Sequence, residues 1–241
     1  MKTNYQKIMM GALVACVLTG VEPMAARAAV LSGKVAFDGE ASAPKPLNFG
    51  AERQCAIMHA DKIPLNEELV VNPNQTVKWA LVYIKEGAPA STFPAPSEAI
   101  EINQKGCMFE PHAVVARVGQ KVIFRNSDPV LHNVRSESKV EKSFNIAQPI
   151  QDMTTAKTFA QSEIGIKMRC DVHFWMAAYV HVLDHPFYAV TGDDGGYQIK
   201  DLPTGTYTIE VWHEKLGTQT QTVTVADGDQ KTVDFTMKQN I

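Results

Sequence analysis

The chain has 241 residues, 45% of them hydrophobic and 20% charged, with a net charge of −3. That is enough for one or two domains with real cores. Neither end is strongly basic, which argues against nucleic acid as a partner.

Residues 1–28 read as an export signal. Lys2 and Lys7 form a basic start, 8–21 is an apolar run too short to span a bilayer, and Ala26-Arg27-Ala28 fits a cleavage site. Leu13-Val14-Ala15-Cys16 offers a rival, a lipobox that would anchor the chain at Cys16. The apolar run continues past it through Val17, Leu18 and Val21, which favours soluble export to the periplasm or the medium. Removing 1–28 takes away Lys2, Lys7, Arg27 and Glu22 and leaves 20 basic and 25 acidic residues, a net charge of −5. No later segment is long and apolar enough to cross a membrane.

Beyond the signal, two-residue alternation is common and helical periodicity scarce, so the chain is expected to be all-β. An N-terminal β segment at 29–90 holds a strand at 33–37, a loop with Pro44 and Pro46, and a strand at 79–85. Residues 87–98, with three prolines and one glycine, suit a linker or surface loop. A second region, 91–186, ends in two strands, 167–170 and 178–182. A third, 187–241, carries a turn at 193–196 and strands at 206–211, 222–225 and 232–237, with Asp227-Gly228 as a hairpin signal.

The chemistry concentrates in 91–186. Residues 170–176 read Cys-Asp-Val-His-Phe-Trp-Met, and His132 lies 38 positions upstream in Asp-Pro-Val-Leu-His-Asn-Val. Cys170, His173 and Met176 share one tight loop, and His132 must be brought to them by folding. One thiolate, two imidazoles and one thioether are the ligand set of a mononuclear blue (type 1) copper site. Zinc tolerates such donors but rarely recruits methionine. By strand parity Ile166, Met168 and Cys170 share a face, which turns Cys170 inward. His173 falls at the loop tip, where its ring edge is expected to reach solvent. The bland alternative is that Cys170 and Met176 are core residues and the histidines incidental. If Cys170 is a metal thiolate, Cys55 and Cys107 are left to pair in an oxidising compartment. Three buried free thiols are the alternative.

Other histidines have no partner at ligand spacing. His181 reads as structural, His112 as near the surface, His185 as part of a turn, His213 as a strand end, and His59 lies in an irregular region. Phe174 and Trp175, beside His173, form either an apolar docking patch or packing against a neighbouring loop.

The stretch 99–186 resembles a cupredoxin, and its ligand-loop spacing is most similar to amicyanin and plastocyanin. Phe109-Glu-Pro111, Val118-Gly119, Val122, Phe124, Asn126 and His132-Asn133-Val134 carry the resemblance, along with the ligand loop. It implies a Greek-key β-sandwich, with Asn133 bracing the two ligand loops near the Cys170 sulfur. Phe174 departs from it, since relatives often have proline there. Residues 187–216 resemble a carboxypeptidase regulatory-like domain, a smaller transthyretin-type β-sandwich, through Thr191, Asp194, Gly195, Tyr197, Ile199, Leu202-Pro203 and Gly205-x-Tyr207. Its usual Gly-x-Val opening strand is missing before 187, and Ser32-Gly33-Lys34-Val35 supplies one, so the cupredoxin is expected to interrupt the second sandwich.

Together these imply an exported one-electron carrier that serves a redox partner protein. A copper storage or delivery protein with an adhesion module is the alternative. An enzyme is disfavoured, because a multicopper oxidase needs His-x-His pairs and this chain has none.

Overall fold

The computed structural model describes residues 27–239. The export signal and Cys16 fall almost wholly outside these described residues. In chain order the elements are β1 (Ala29–Phe37), α1 (Arg53–Met58), β2 (Leu81–Glu86), β3 (Ile100–Gln104), β4 (Phe109–Glu110), β5 (Ala113–Arg117), β6 (Lys121–Asn126), β7 (His132–Glu137), β8 (Asn145–Gln148), β9 (Thr154–Thr158), β10 (Glu163–Arg169), β11 (Ala177–Leu183), β12 (Tyr188–Val190), β13 (Gly196–Leu202), β14 (Gly205–His213), β15 (Gly217–Val225), β16 (Gln230–Thr232) and β17 (Phe235–Met237). The strands make two β-sandwiches.

One sandwich faces β13-β1-β16, with β17 also on β1, against β12-β2-β14-β15. Strand β1 pairs antiparallel with β13, Gly33 opposite Tyr197, and parallel with β16 and β17. Strand β2 lies between β12 and β14. Thus the N-terminal strands complete a sheet pair whose other members lie 105 to 200 residues downstream, from Tyr83 opposite Tyr188 to Val30 opposite Gln230. Gly33 is needed where it sits: a Cβ there would meet the Val233 carbonyl oxygen at 1.9 Å. Alternation places Tyr207, Ile209 and Val211 in the core beside Leu31, Val35, Ile199 and Phe235.

The other sandwich faces β5-β11-β10-β7-β8 against β4-β3-β6-β9. Its core holds Ile102, Phe109, Phe124, Val134, Ile166, Met168 and Val180. Ile166, Met168 and Cys170 are all buried, as strand parity requires. The two sandwiches touch through Leu81, Tyr83, Val115 and Leu183, and the Trp212 ring lies 4.8 Å from that of His181.

Several local expectations need correction. The strand expected at 79–85 starts at Leu81, because Trp79 sits at φ 65° and breaks the extended run. Asp227-Gly228 is a turn but closes no hairpin: β15 pairs with β14, whereas the next strand, β16, joins β1 in the opposite sheet. The run 232–237 splits into β16 and β17 around Asp234, whose Oδ1 accepts from the Lys34 N–H at 2.8 Å. His112 is buried rather than near the surface, its Nε2 2.5 Å from Glu214 of the facing sandwich.

Candidate metal centre

Two segments converge at one end of the second sandwich. Strand β7 begins at His132, and the 170–176 loop joins β10 to β11. The loop is closed by its own backbone, with Met176 N–H donating to the His173 carbonyl at 2.9 Å. His132, Cys170, His173 and Met176 are all buried. The structure brings three of the four donors together: one ring nitrogen of each histidine and the Cys170 sulfur all lie within 4.8 Å of one another. Nδ1 of His132 is 2.9 Å from Nδ1 of His173, and the sulfur is 3.8 Å from the latter. Met176 closes the loop in the core beside them. Two imidazole nitrogens and a cysteine sulfur this close can share a hydrogen between the rings or hold a cation among them, one soft enough for sulfur.

The Cys170 thiol is acidified by its surroundings. Burial pushes Cys170 up, but contacts with His132 and His173 and the N–H groups of Asn133 and His173 outweigh it and bring the thiol down to about 6. The His173 N–H points at the sulfur at 3.4 Å. Asn133 lies beside the sulfur. Its Oδ1 is 3.3 Å from the sulfur and accepts the Asp171 N–H at 2.7 Å, while its Nδ2 donates to Asn145 at 2.6 Å. It therefore ties β7 to the ligand loop.

Cys55 and Cys107 form a disulfide that closes 52 residues of sequence separation. It fastens α1 over the site, with its sulfurs and a His173 ring nitrogen within 4.8 Å of one another. Glu52, just before α1, brings Oε2 to 3.8 Å from His173 Nε2. The expectation of a solvent-facing His173 edge is therefore wrong: the residue is 2% exposed. The cause is the 49–59 segment, which the loop spacing does not reveal. The neighbouring aromatics divide. Phe174 is 83% exposed. Trp175 is half-buried, donates its indole N–H to the Cys107 carbonyl at 2.9 Å, and meets the Phe49 ring edge-on. Packing, not docking, describes Trp175.

Asp128 escaped the sequence reading. It is 3% exposed, and its Oδ2 lies 2.9 Å from His132 Nε2. Burial raises its carboxyl, but His132 and the N–H groups of Cys107 and Gly106 hold it below the usual range. Its i, i+4 spacing to His132 is the only sequence signal, and a weak one. His181 and His213 are both buried away from the cluster, and burial pushes them down to about 3 and about 4.

A carboxypeptidase regulatory-like domain model matches residues 176–238. The match starts in the ligand loop and takes in β11, which belongs to the other sandwich, whereas the structure draws β1 and β2 from the N-terminal segment. No curated protein matches the chain. Solved structures that resemble it include an amicyanin from Paracoccus versutus, 20% identical over 42% of this chain and 96% of that one, with a TM-score of 0.32. A purple cupredoxin from Nitrosopumilus maritimus is 22% identical over 34% and 98%, with a TM-score of 0.30. A copper-containing nitrite reductase from Thermus scotoductus is 18% identical over 41% of this chain, with a TM-score of 0.32, and this chain spans only 25% of its length. The two family names are those the motifs suggested. No helix among the described residues is long and apolar enough to cross a membrane.

Proposed function

We propose that this chain is an exported type 1 copper protein that carries single electrons to or from a redox partner protein. His132, Cys170, His173 and Met176 hold the ion, and copper supplies the one-electron Cu(I)/Cu(II) couple. The observation that carries this reading is the convergence of two imidazole nitrogens and the Cys170 sulfur within 4.8 Å. The chain's own residues do the rest. Asn133 restrains the sulfur, burial keeps water from it, and the loop backbone fixes His173. Such restraint limits ligand movement between oxidation states, as electron transfer requires. The disulfide supports an oxidising compartment. Phe174 is the apolar side chain offered to the partner, and the regulatory-like sandwich takes no chemical role.

The test is redox cycling of the purified protein. One equivalent of Cu(II) should bind, ascorbate should bleach its colour, and oxidation should restore it without loss of metal. Release of copper on each reduction would favour storage or delivery instead.

A further inference from the structure

His132 must present a bare Nδ1 to the cluster, so its hydrogen must sit on Nε2. Nothing in the ligand loop decides this. The residue facing Nε2 is Asp128, with Oδ2 at 2.9 Å. That carboxylate cannot swing away. Gly106 N–H donates to its Oδ1 at 2.7 Å, and Cys107 N–H donates to its Oδ2 at 2.7 Å. Its own backbone N–H is held by Asn126 Oδ1 at 2.9 Å. Asn126 in turn donates to the Val130 and Gln148 carbonyls, which pins the segment between Asp128 and His132.

We propose that Asp128 is the positioning residue of the metal centre: its fixed carboxylate takes the Nε2–H of His132 and so leaves Nδ1 bare and aimed at Cys170 and His173. A carboxylate is a pure acceptor when ionised, so the opposite tautomer would face lone pair against lone pair. The two facing Nδ1 atoms, 2.9 Å apart, then need a hydrogen from His173 when no ion lies between them. A carboxylate behind an imidazole ligand also makes that ligand more basic and adds negative charge near the ion, which favours the higher oxidation state. The rival is that Asp128 merely caps the Gly106-Cys107 turn. As a role in a copper centre this inference rests on the proposed ligand set, but the tautomer it assigns does not.

The experiment has two parts. Nitrogen-15 NMR of the metal-free wild-type protein should show His132 protonated at Nε2 with Nδ1 bare. In Asp128→Ala that single tautomer should be lost. After Cu(II) is added, Asp128→Ala should retain copper 10- to 100-fold less tightly than wild type. Asp128→Asn, which keeps the shape but not the charge, should keep the visible band and shift the reduction potential positive. A wild-type His132 protonated at Nδ1 would overturn the proposal, even if the alanine variant fails to fold. So would copper retention and potential equal to wild type in the asparagine variant. A wild-type protein that takes up no copper would sink the ligand set while leaving the tautomer to judge Asp128.

Discussion

The two sandwiches solve folding differently. In the one built on β1 and β14, alternation sends Tyr207, Ile209 and Val211 inward to an apolar cluster, and the few buried polar groups, Asn72, Thr76, Thr191, Glu210 and His213, are dispersed among its strands and loops. In the other, an apolar middle gives way at one end to His132, Asp128, Asn126, Gln148, His173 and Cys170, all buried. Buried polar groups cost free energy unless each finds a partner. Here they find one another, through Asn126 to Gln148, Gln148 to Gln104 and Asp128 to His132. The first arrangement rests on an apolar core with a few hydrogen-bonded polar groups at its margins, such as Thr191 between Val77 and Ala80. The second is held by hydrogen bonds and a disulfide around donors that favour an ion. The same layered architecture thus gathers metal-capable donors in one unit and, among the described residues, not in the other.

The largest expected effect concerns the disulfide. Closing about 50 residues, it should contribute about 4 kcal/mol. Cys55→Ser with Cys107→Ser should lower the unfolding free energy by that amount. It should also make Cys170 in the metal-free protein react faster with iodoacetamide, since α1 loses its anchor. Lost stability with unchanged Cys170 reactivity would separate the disulfide from the cover.

Next is Ile209→Ala, at the fully buried centre of the other core. It should cost about 3 kcal/mol and leave the copper spectrum untouched. A changed spectrum would mean that the two units are coupled more tightly than their contact suggests.

Acid gives a smaller effect. His181 and His213 titrate near 6.5 when unfolded but only at about 3 and about 4 when folded. Between those values the unfolded chain binds more protons, so stability must fall as pH drops from 7 toward 4. Each histidine should remove on the order of 1–2 kcal/mol by pH 5. Denaturant midpoints across that range test the slope, and a flat profile would contradict burial of both rings in the neutral form.

Smallest in stability is Phe174→Ser, within about 0.5 kcal/mol at so exposed a position. Electron exchange with the partner should slow while the spectrum holds. Exchange at the wild-type rate would place the docking face elsewhere.

Much of this was legible in the sequence, for local reasons. Alternation marks β14, and the Cys-x2-His-x2-Met spacing selects side chains on one short loop. The odd cysteine count points to the Cys55–Cys107 pair once Cys170 is set apart. What was hidden depends on distant partners. Helix α1 has six residues and buries only Cys55, so no periodicity marks it. It exists where the disulfide holds it, and it covers His173. His112 is buried because Glu214 reaches it from 102 residues away. Asp128 has only a weak local signal, because the Gly106 and Cys107 N–H groups that hold it come from a separate turn some 20 residues upstream. Glu210 alternates outward yet is buried, because Tyr83 and Lys85 of β2 meet it at 2.5 and 2.6 Å.

The central claim, that the polar end of one sandwich is a copper–thiolate centre, has a direct test. Metal-free protein is titrated with Cu(II) while its visible absorption is recorded, alongside Cys170→Ala. The account predicts an intense thiolate-to-copper charge-transfer band that saturates at one equivalent and is absent in the variant. A colourless wild type, or a band equally strong in Cys170→Ala, would contradict it.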